Sequence, residues 1–288
     1  MPVPSTLFSI SRFVLPAFFT SILAAGAETQ WIALFNGRDL SGWDTYIGPL
    51  YSEDKGEFDG APIGLNHDPR GVFTVVEEDG APAIRVSGIE WGGFSTVDEY
   101  ENYHLRFQFK WGEGRFPPRA ESRRDSGLLY HAVGPHAADW FFWMRSQEFQ
   151  IQEGDCGDFW ALAGCSVTVR AILEGEGDDA RHVYNAAGDP IRFQVDEPAG
   201  RHVKKFPDAE NPTGEWNTLD LYCLGGTSMH VVNGVVTMVL HDSQQPDGRG
   251  GMMPLTKGKL QFQSEGAEVF YRDLKIRPID RLPTTTIR

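Results

Sequence analysis

The chain is poor in cysteine, in cations and in long apolar runs. Its 288 residues hold 3 cysteines, too few for a disulfide framework to take the place of a hydrophobic core. Against 40 Asp and Glu stand 26 Lys and Arg, a formal net charge of −14. That deficit argues against nucleic acid and anionic membrane as partners, because both are held by cationic surface. It suits neutral substrates and divalent cations. The apolar run from Phe13 to Ala24 is too short for a comfortable membrane span. No periodicity supports a helix of more than about two turns, and there is no repeat and no low-complexity tract. A Walker phosphate loop, a dinucleotide fingerprint, a Gly-x-Ser-x-Gly nucleophile elbow and a Cys-x-x-Cys pair are all missing. No organic cofactor is implied.

What is present begins with a leader. Arg12 is the only charge before Glu28, and Ala25-Gly26-Ala27 follows the apolar run as a small-x-small cleavage site would. We therefore expect a signal peptide over residues 1–27, a single domain over 28–288, and a periplasmic or secreted protein. No Cys stands near the cleavage point, so no membrane anchor is expected afterwards. In an oxidising compartment Cys156 and Cys165 would flank one short loop and could pair. Equally, these two and Cys223 could remain free thiols.

Strand signals fill the rest. Tyr103, Leu105, Phe107, Phe109 and Trp111 alternate with His104, Arg106, Gln108 and Lys110, the pattern of a strand covered on one face. Met229 to Leu240 carries Asn233-Gly234 at its centre, the pair that a two-residue type I′ turn needs. Short strands separated by turn signals predict an all-β fold: two antiparallel sheets in a sandwich, with long loops at the rim. On such a scaffold, function sits on the loops and on any sheet face left polar.

The stretch Ser146 to Trp160 is that kind of face. Glu148, Gln150 and Gln152 share one side of a predicted strand, and Gln147, Phe149 and Ile151 share the other. Glu153, Asp155 and Asp158 follow at once, spaced by Gly154 and Gly157, whose freedom lets acids converge. Asp158 reads as a turn-stabilising group. Gln150 and Gln152 suit sugar hydroxyls. Trp140, Trp143 and Trp160 offer flat faces to a pyranose ring. Arg123 and Arg124, in the loop before SGLLYH, lie within reach in sequence.

LFNGRDLSGWD, SGLLYH, EFQIQEGD, GEWNTLDLYC, the MHVVNG hairpin and LQFQSEGAEVFYRDLKIRPI occur in that order. Together, over nearly all of residues 31–279, they resemble the family of bacterial 3-keto-disaccharide hydrolases. The resemblance implies a concanavalin- or glucanase-like jelly roll and action on sugars oxidised at C3. Its opening and closing motifs read as structural signatures. His131 stands where members often carry Arg, and EFQIQE where many have EVQILD, which points to a subgroup with its own substrate or metal use.

A ketone at C3 acidifies the proton on C2. A base removes it, the enolate expels the group at C1, and water adds back. That route needs a base, an acid and something to hold the enolate oxygen, a role a divalent metal fills well. Glu148, Glu153, Asp155 and His131 are the candidate catalytic groups. Gln150, Gln152, Arg123, Trp143 and Trp160 are the candidate substrate contacts. His131, Glu148 and Glu153 would form mixed N/O ligation for Zn, Mn, Fe or Ca. Two other readings use the same residues: a conventional two-carboxylate glycosidase and a non-catalytic carbohydrate-binding protein. Several acids in one short stretch favour catalysis over binding.

Overall fold

The computed structural model describes Met1 and residues 30–284. Residues 2–29, which hold nearly all of the expected leader, lie outside the described residues. Two antiparallel sheets dominate the rest, with twelve and nine strands among the described residues. The only helical element described is one 3-10 turn, Gly177–Asp179. The two-sheet sandwich expected from the alternating patterns is the fold found.

The alternation places the core. Tyr103, Leu105, Phe107, Phe109 and Trp111 turn inward from the strand Tyr103–Arg115, at the middle of the twelve-stranded sheet. Leu128, Tyr130, Phe149, Phe94 and Phe262 meet them from the nine-stranded sheet. Burying aromatic side chains from both sheets supplies the main stabilisation of the sandwich. Asn233 and Gly234 take positive φ, 49° and 81°, and Val232 pairs with Val235 across them. This is the tight hairpin turn read from the Asn-Gly pair.

The nine-stranded sheet runs in the order Phe159–Ala161, Arg145–Gln150, Gly127–Val133, Lys257–Ser264, Gly92–Thr96 and Trp43–Ile47 through its centre. Gln147 faces the interior and hydrogen-bonds Ser243 of the other sheet. Glu148 and Gln150 therefore face outward, as the period of two requires. The three thiols are free and buried. Cys156 and Cys165 belong to different core clusters, so the acidic turn is not pinned by a bridge between them.

Candidate active site

The outer face of the nine-stranded sheet carries a polar row. Trp160, Glu148, Leu129, Gln261, Ser95 and Asp44 are successive cross-strand partners. The inner row on the same strands is apolar, so the alternation itself makes this face polar. Part of it is roofed. The segment 134–144 folds back, and its Phe142 and Trp143 pack with Trp91, Leu129 and Leu162. Met144 N–H donates to Gln261 Oε1 at 3.0 Å. Water is thus excluded from one flank of a row of amides and carboxyls, which strengthens electrostatic interactions there.

Three carboxyls gather at the edge of that roof. Glu148 lies mid-strand and is 6% exposed, and Asp125, just ahead of Gly127–Val133, is 4% exposed. Glu265 follows directly on Lys257–Ser264. Arg119 stands between two of them: its Nη2 lies 2.7 Å from Asp125 Oδ2, and its Nη1 is 3.9 Å from Glu265 Oε1. Gln152 Nε2 donates to the same Asp125 Oδ2 at 2.5 Å. The Gln263 side chain hydrogen-bonds Glu148.

The proton affinities follow from burial and crowding. Burial, then the neighbouring Asp125, raises the Glu148 carboxyl well above the usual range, while Arg201 and Gln263 oppose this only in part. Asp125 is pushed up to about 6, mainly by burial, against the opposing pull of Arg119 and Gln152. Burial and the other two acids raise Glu265 well above its ordinary value too. Four buried polar atoms here have no protein hydrogen-bond partner: Asp125 Oδ1, Gln263 Oε1, Arg119 Nε and Trp91 Nε1. An unmet buried polar group costs about 1–3 kcal/mol. Groups of this kind are met by ordered water or by a polar ligand.

Gly127 makes the cluster possible. A Cβ there would collide with Oε1 of both Glu148 and Gln263. Gly127→Ala is therefore expected to cost roughly 1–3 kcal/mol of stability through overpacking, read as a lowered denaturant midpoint. An unchanged midpoint would mean that the two side chains do not lie over this glycine.

Several residues singled out in the sequence come to this place and others do not. Glu148 is at its centre and Gln152 binds Asp125. Gln150 shares the face, pairing across to Gly127, and its Oε1 accepts from the Ile151 amide at 2.9 Å. Trp160 sits beside Glu148 in register; its ring stacks on His202 at 4.2 Å, with the Arg201 guanidinium 5.4 Å away. Trp143 is buried in the roof.

Glu153 turns away to Arg124, with Nη1 3.2 Å from Oε1, and to the Thr213 hydroxyl. Burial would raise its carboxyl, but Thr213 and Arg124 outweigh that and hold it below its ordinary value. Asp155 is clamped between Arg123 at 2.5 Å and Lys204 at 3.0 Å. Those contacts overcome burial and lower it as well. Asp158 accepts from the Lys205 amide at 2.9 Å and meets His202 at 2.9 Å. The crowding of Glu148 therefore comes from Asp125 and, less, from Asp139, not from the acids that follow it in the chain. The reason is the turn: Asp155 N–H bonds Gln152 C=O and Glu153 N–H bonds Arg124 C=O, which carries both side chains off the sheet face.

His131 is displaced by a β-bulge. Its φ is +50°, and the register slips between Tyr130 and Val133. Two successive side chains then point inward, and His131 packs against Tyr103 and Tyr130. Burial lowers its pKa to about 4. His131, Glu148 and Glu153 do not converge. Among the described residues no group of three His, Cys, Asp or Glu side chains is placed to hold a metal ion. The expected Zn, Mn, Fe or Ca set does not fit these donors, and no step below is routed through a metal.

Asp125 and Glu265 escaped the sequence reading, although a signal existed. Gln261, Gln263 and Glu265 share one parity, opposite to Leu260 and Phe262, and so continue the polar row past the strand end.

A model of the 3-keto-alpha-glucoside-1,2-lyase-like domain matches residues 30–277. The chain belongs to that family. Membership makes this 3-keto-alpha-glucoside-1,2-lyase-like domain a sugar-active protein and carbohydrate its ligand class. No curated protein matches the chain. Solved structures similar to this domain include two candidate glycosyl hydrolases from Parabacteroides distasonis ATCC 8503. Both are 18% identical over 87% of this chain, with 100% and 94% of their own chains covered and TM-scores of 0.47 and 0.48. A Bacillus licheniformis beta-glucanase is 10% identical, covering 88% of this chain and 99% of its own, with a TM-score of 0.42.

Proposed function

We propose that the protein cleaves 3-keto-glycosides by elimination and hydration, with Asp125 as the base and Glu148 as the acid. The observation that carries this reading is a pair of buried, crowded carboxyls of which Asp125 holds an ion pair to Arg119 at 2.7 Å, while burial and Asp125 itself raise Glu148 well above the usual range. Such pairs divide into one base and one acid at neutral pH. Asp125 has one oxygen held by Arg119 and Gln152 and the other, Oδ1, without a protein partner. An oriented carboxylate with one uncommitted oxygen is what proton abstraction requires.

The steps balance. Asp125 takes the proton from C2, and the C2–H electron pair becomes the enolate conjugated with the C3 carbonyl. That pair then forms the C1–C2 double bond as the C1–O bond breaks. Glu148 gives its proton to the departing oxygen. Glu148, now ionised, takes a proton from water as the water oxygen bonds to C1. Asp125 returns its proton to C2. Both carboxyls end as they began, and the net reaction is hydrolysis. Trp160, adjacent to Glu148, lies where the departing group would rest. Export of the protein, over a leader at residues 1–27, belongs to this reading and follows from the composition of that segment.

The test compares a 3-keto nitrophenyl glycoside with its unoxidised parent. Nitrophenol release from the keto form alone is the expected result. Release from the parent at a similar rate would instead indicate ordinary two-carboxylate hydrolysis. Binding of both without release would indicate a carbohydrate-binding protein.

A further inference from the structure

We infer that the indole N–H of Trp91 and the Nε–H of Arg119 together receive the C3 oxygen of the keto-sugar as it gains negative charge. The inference rests on the elimination reading above and adds the group that reading still lacks. Both donors are without a protein acceptor, and the Trp91 side chain is buried at 3% exposure. Both side chains also adjoin Gly266. A Cβ placed on Gly266 would lie 3.2 Å from Arg119 Cβ and 3.6 Å from Trp91 Nε1. Gly266 has φ +80° and follows Glu265, so the turn that presents this acid also leaves room for the two donors.

Neither donor is free to swing elsewhere. Trp91 is wedged by Phe58 at 4.8 Å, Phe142 at 5.5 Å and Trp143 at 6.3 Å between ring centroids. Arg119 has its Nη2 on Asp125 Oδ2 at 2.7 Å and on the Arg123 carbonyl at 3.4 Å. Nη2 thereby holds the guanidinium in place, and the buried Nε–H is left without an acceptor. Donors fixed before reaction stabilise developing charge without reorganising.

Charge bookkeeping gives the same answer. Before proton abstraction, Arg119 faces one carboxylate, Asp125. Afterwards Asp125 is neutral and the negative charge sits on the C3 oxygen. The same guanidinium serves both, so the charge moves along one cation and the cluster gains no net charge. Two donors and no acceptor also match a ketone oxygen, which offers two lone pairs and no proton. A C3 hydroxyl would bring a hydrogen that neither Trp91 nor Arg119 can accept. The pair therefore suits the carbonyl oxygen and the enolate formed from it.

The test uses Trp91→Phe and Arg119→Lys in the full chain with a 3-keto nitrophenyl glycoside. Each variant should lose about 10²–10³-fold in kcat with a much smaller change in KM. Deuterium entry at C2 of the 3-keto product in heavy water should slow in parallel, which a merely structural defect in leaving-group departure would not produce. If Trp91→Phe fails to fold, benzothienylalanine at position 91 keeps the ring shape and removes only the N–H. Wild-type kcat and wild-type C2 exchange in folded variants would overturn this inference alone. A wild-type protein that leaves the keto-glycoside intact would overturn the elimination reading beneath it.

Discussion

Asp125→Asn should lower kcat/KM toward a 3-keto-glycoside by about 10²–10⁴-fold, the range a positioned general base supplies. Asparagine keeps the shape and an oxygen for Arg119 and Gln152 but takes up no proton. The pH profile makes the assignment specific. Asp125 must be ionised to act, and its pKa is pushed up to about 6 by burial. Wild-type kcat/KM should therefore rise as pH climbs through about 6. It should fall again where Glu148, held well above the usual range by burial and by Asp125, begins to ionise. The residual activity of Asp125→Asn should lack the rise near pH 6. A limb that persists there in the variant would place the base elsewhere. Because the two carboxyls interact, the profile reports the pair rather than either residue alone.

Glu148→Gln should separate activity from stability. With a poor leaving group, such as a second sugar, loss of the acid should cost about 10²–10⁴-fold. With nitrophenol, which departs without a proton, the cost should be far smaller. Stability should change in the opposite direction. The folded-state pKa of Glu148 is raised above its unfolded value. Its contribution is thus fully present below the unfolded carboxyl pKa and is lost as pH rises through the folded pKa. Glutamine does not ionise and keeps that contribution. Melting curves should coincide near pH 4, and the variant should gain on wild type toward pH 8, on the order of 1 kcal/mol or more. An equal or lower melting temperature for the variant at pH 8 would show that Glu148 does not sit in this crowded, dry environment. A gain for the variant at pH 8 means that the same group serves the reaction and strains the fold, as active-site acids often do.

The elements that could be read directly from the residues are those governed by local rules. Tyr103 to Trp111 alternates because one face of that strand meets the core. Asn233-Gly234 turns because those two residues tolerate positive φ. Glu148 and Gln150 could be placed on one side by parity alone. Glu153 and Asp155 could not be followed past the strand end, because parity ceases at a turn. There the hydrogen bonds to Gln152 and Arg124 choose the direction. His131 illustrates the same limit. A single bulge reverses the facing of one residue, and nothing in SGLLYH announces it.

The amino-acid order alone determined the all-β class, the polar side of the strand around Glu148 and the family motifs, since each depends on neighbours a few residues apart. Only the tertiary structure decided which acids share a site. Asp125 and Glu265 lie on strand ends far from Glu148 in the chain, and lateral pairing through Gly127–Val133 and Lys257–Ser264 brings them together. Carboxyl proton affinity depends on burial and on charges a few ångströms away, so the division into base and acid came into being only when those strands met.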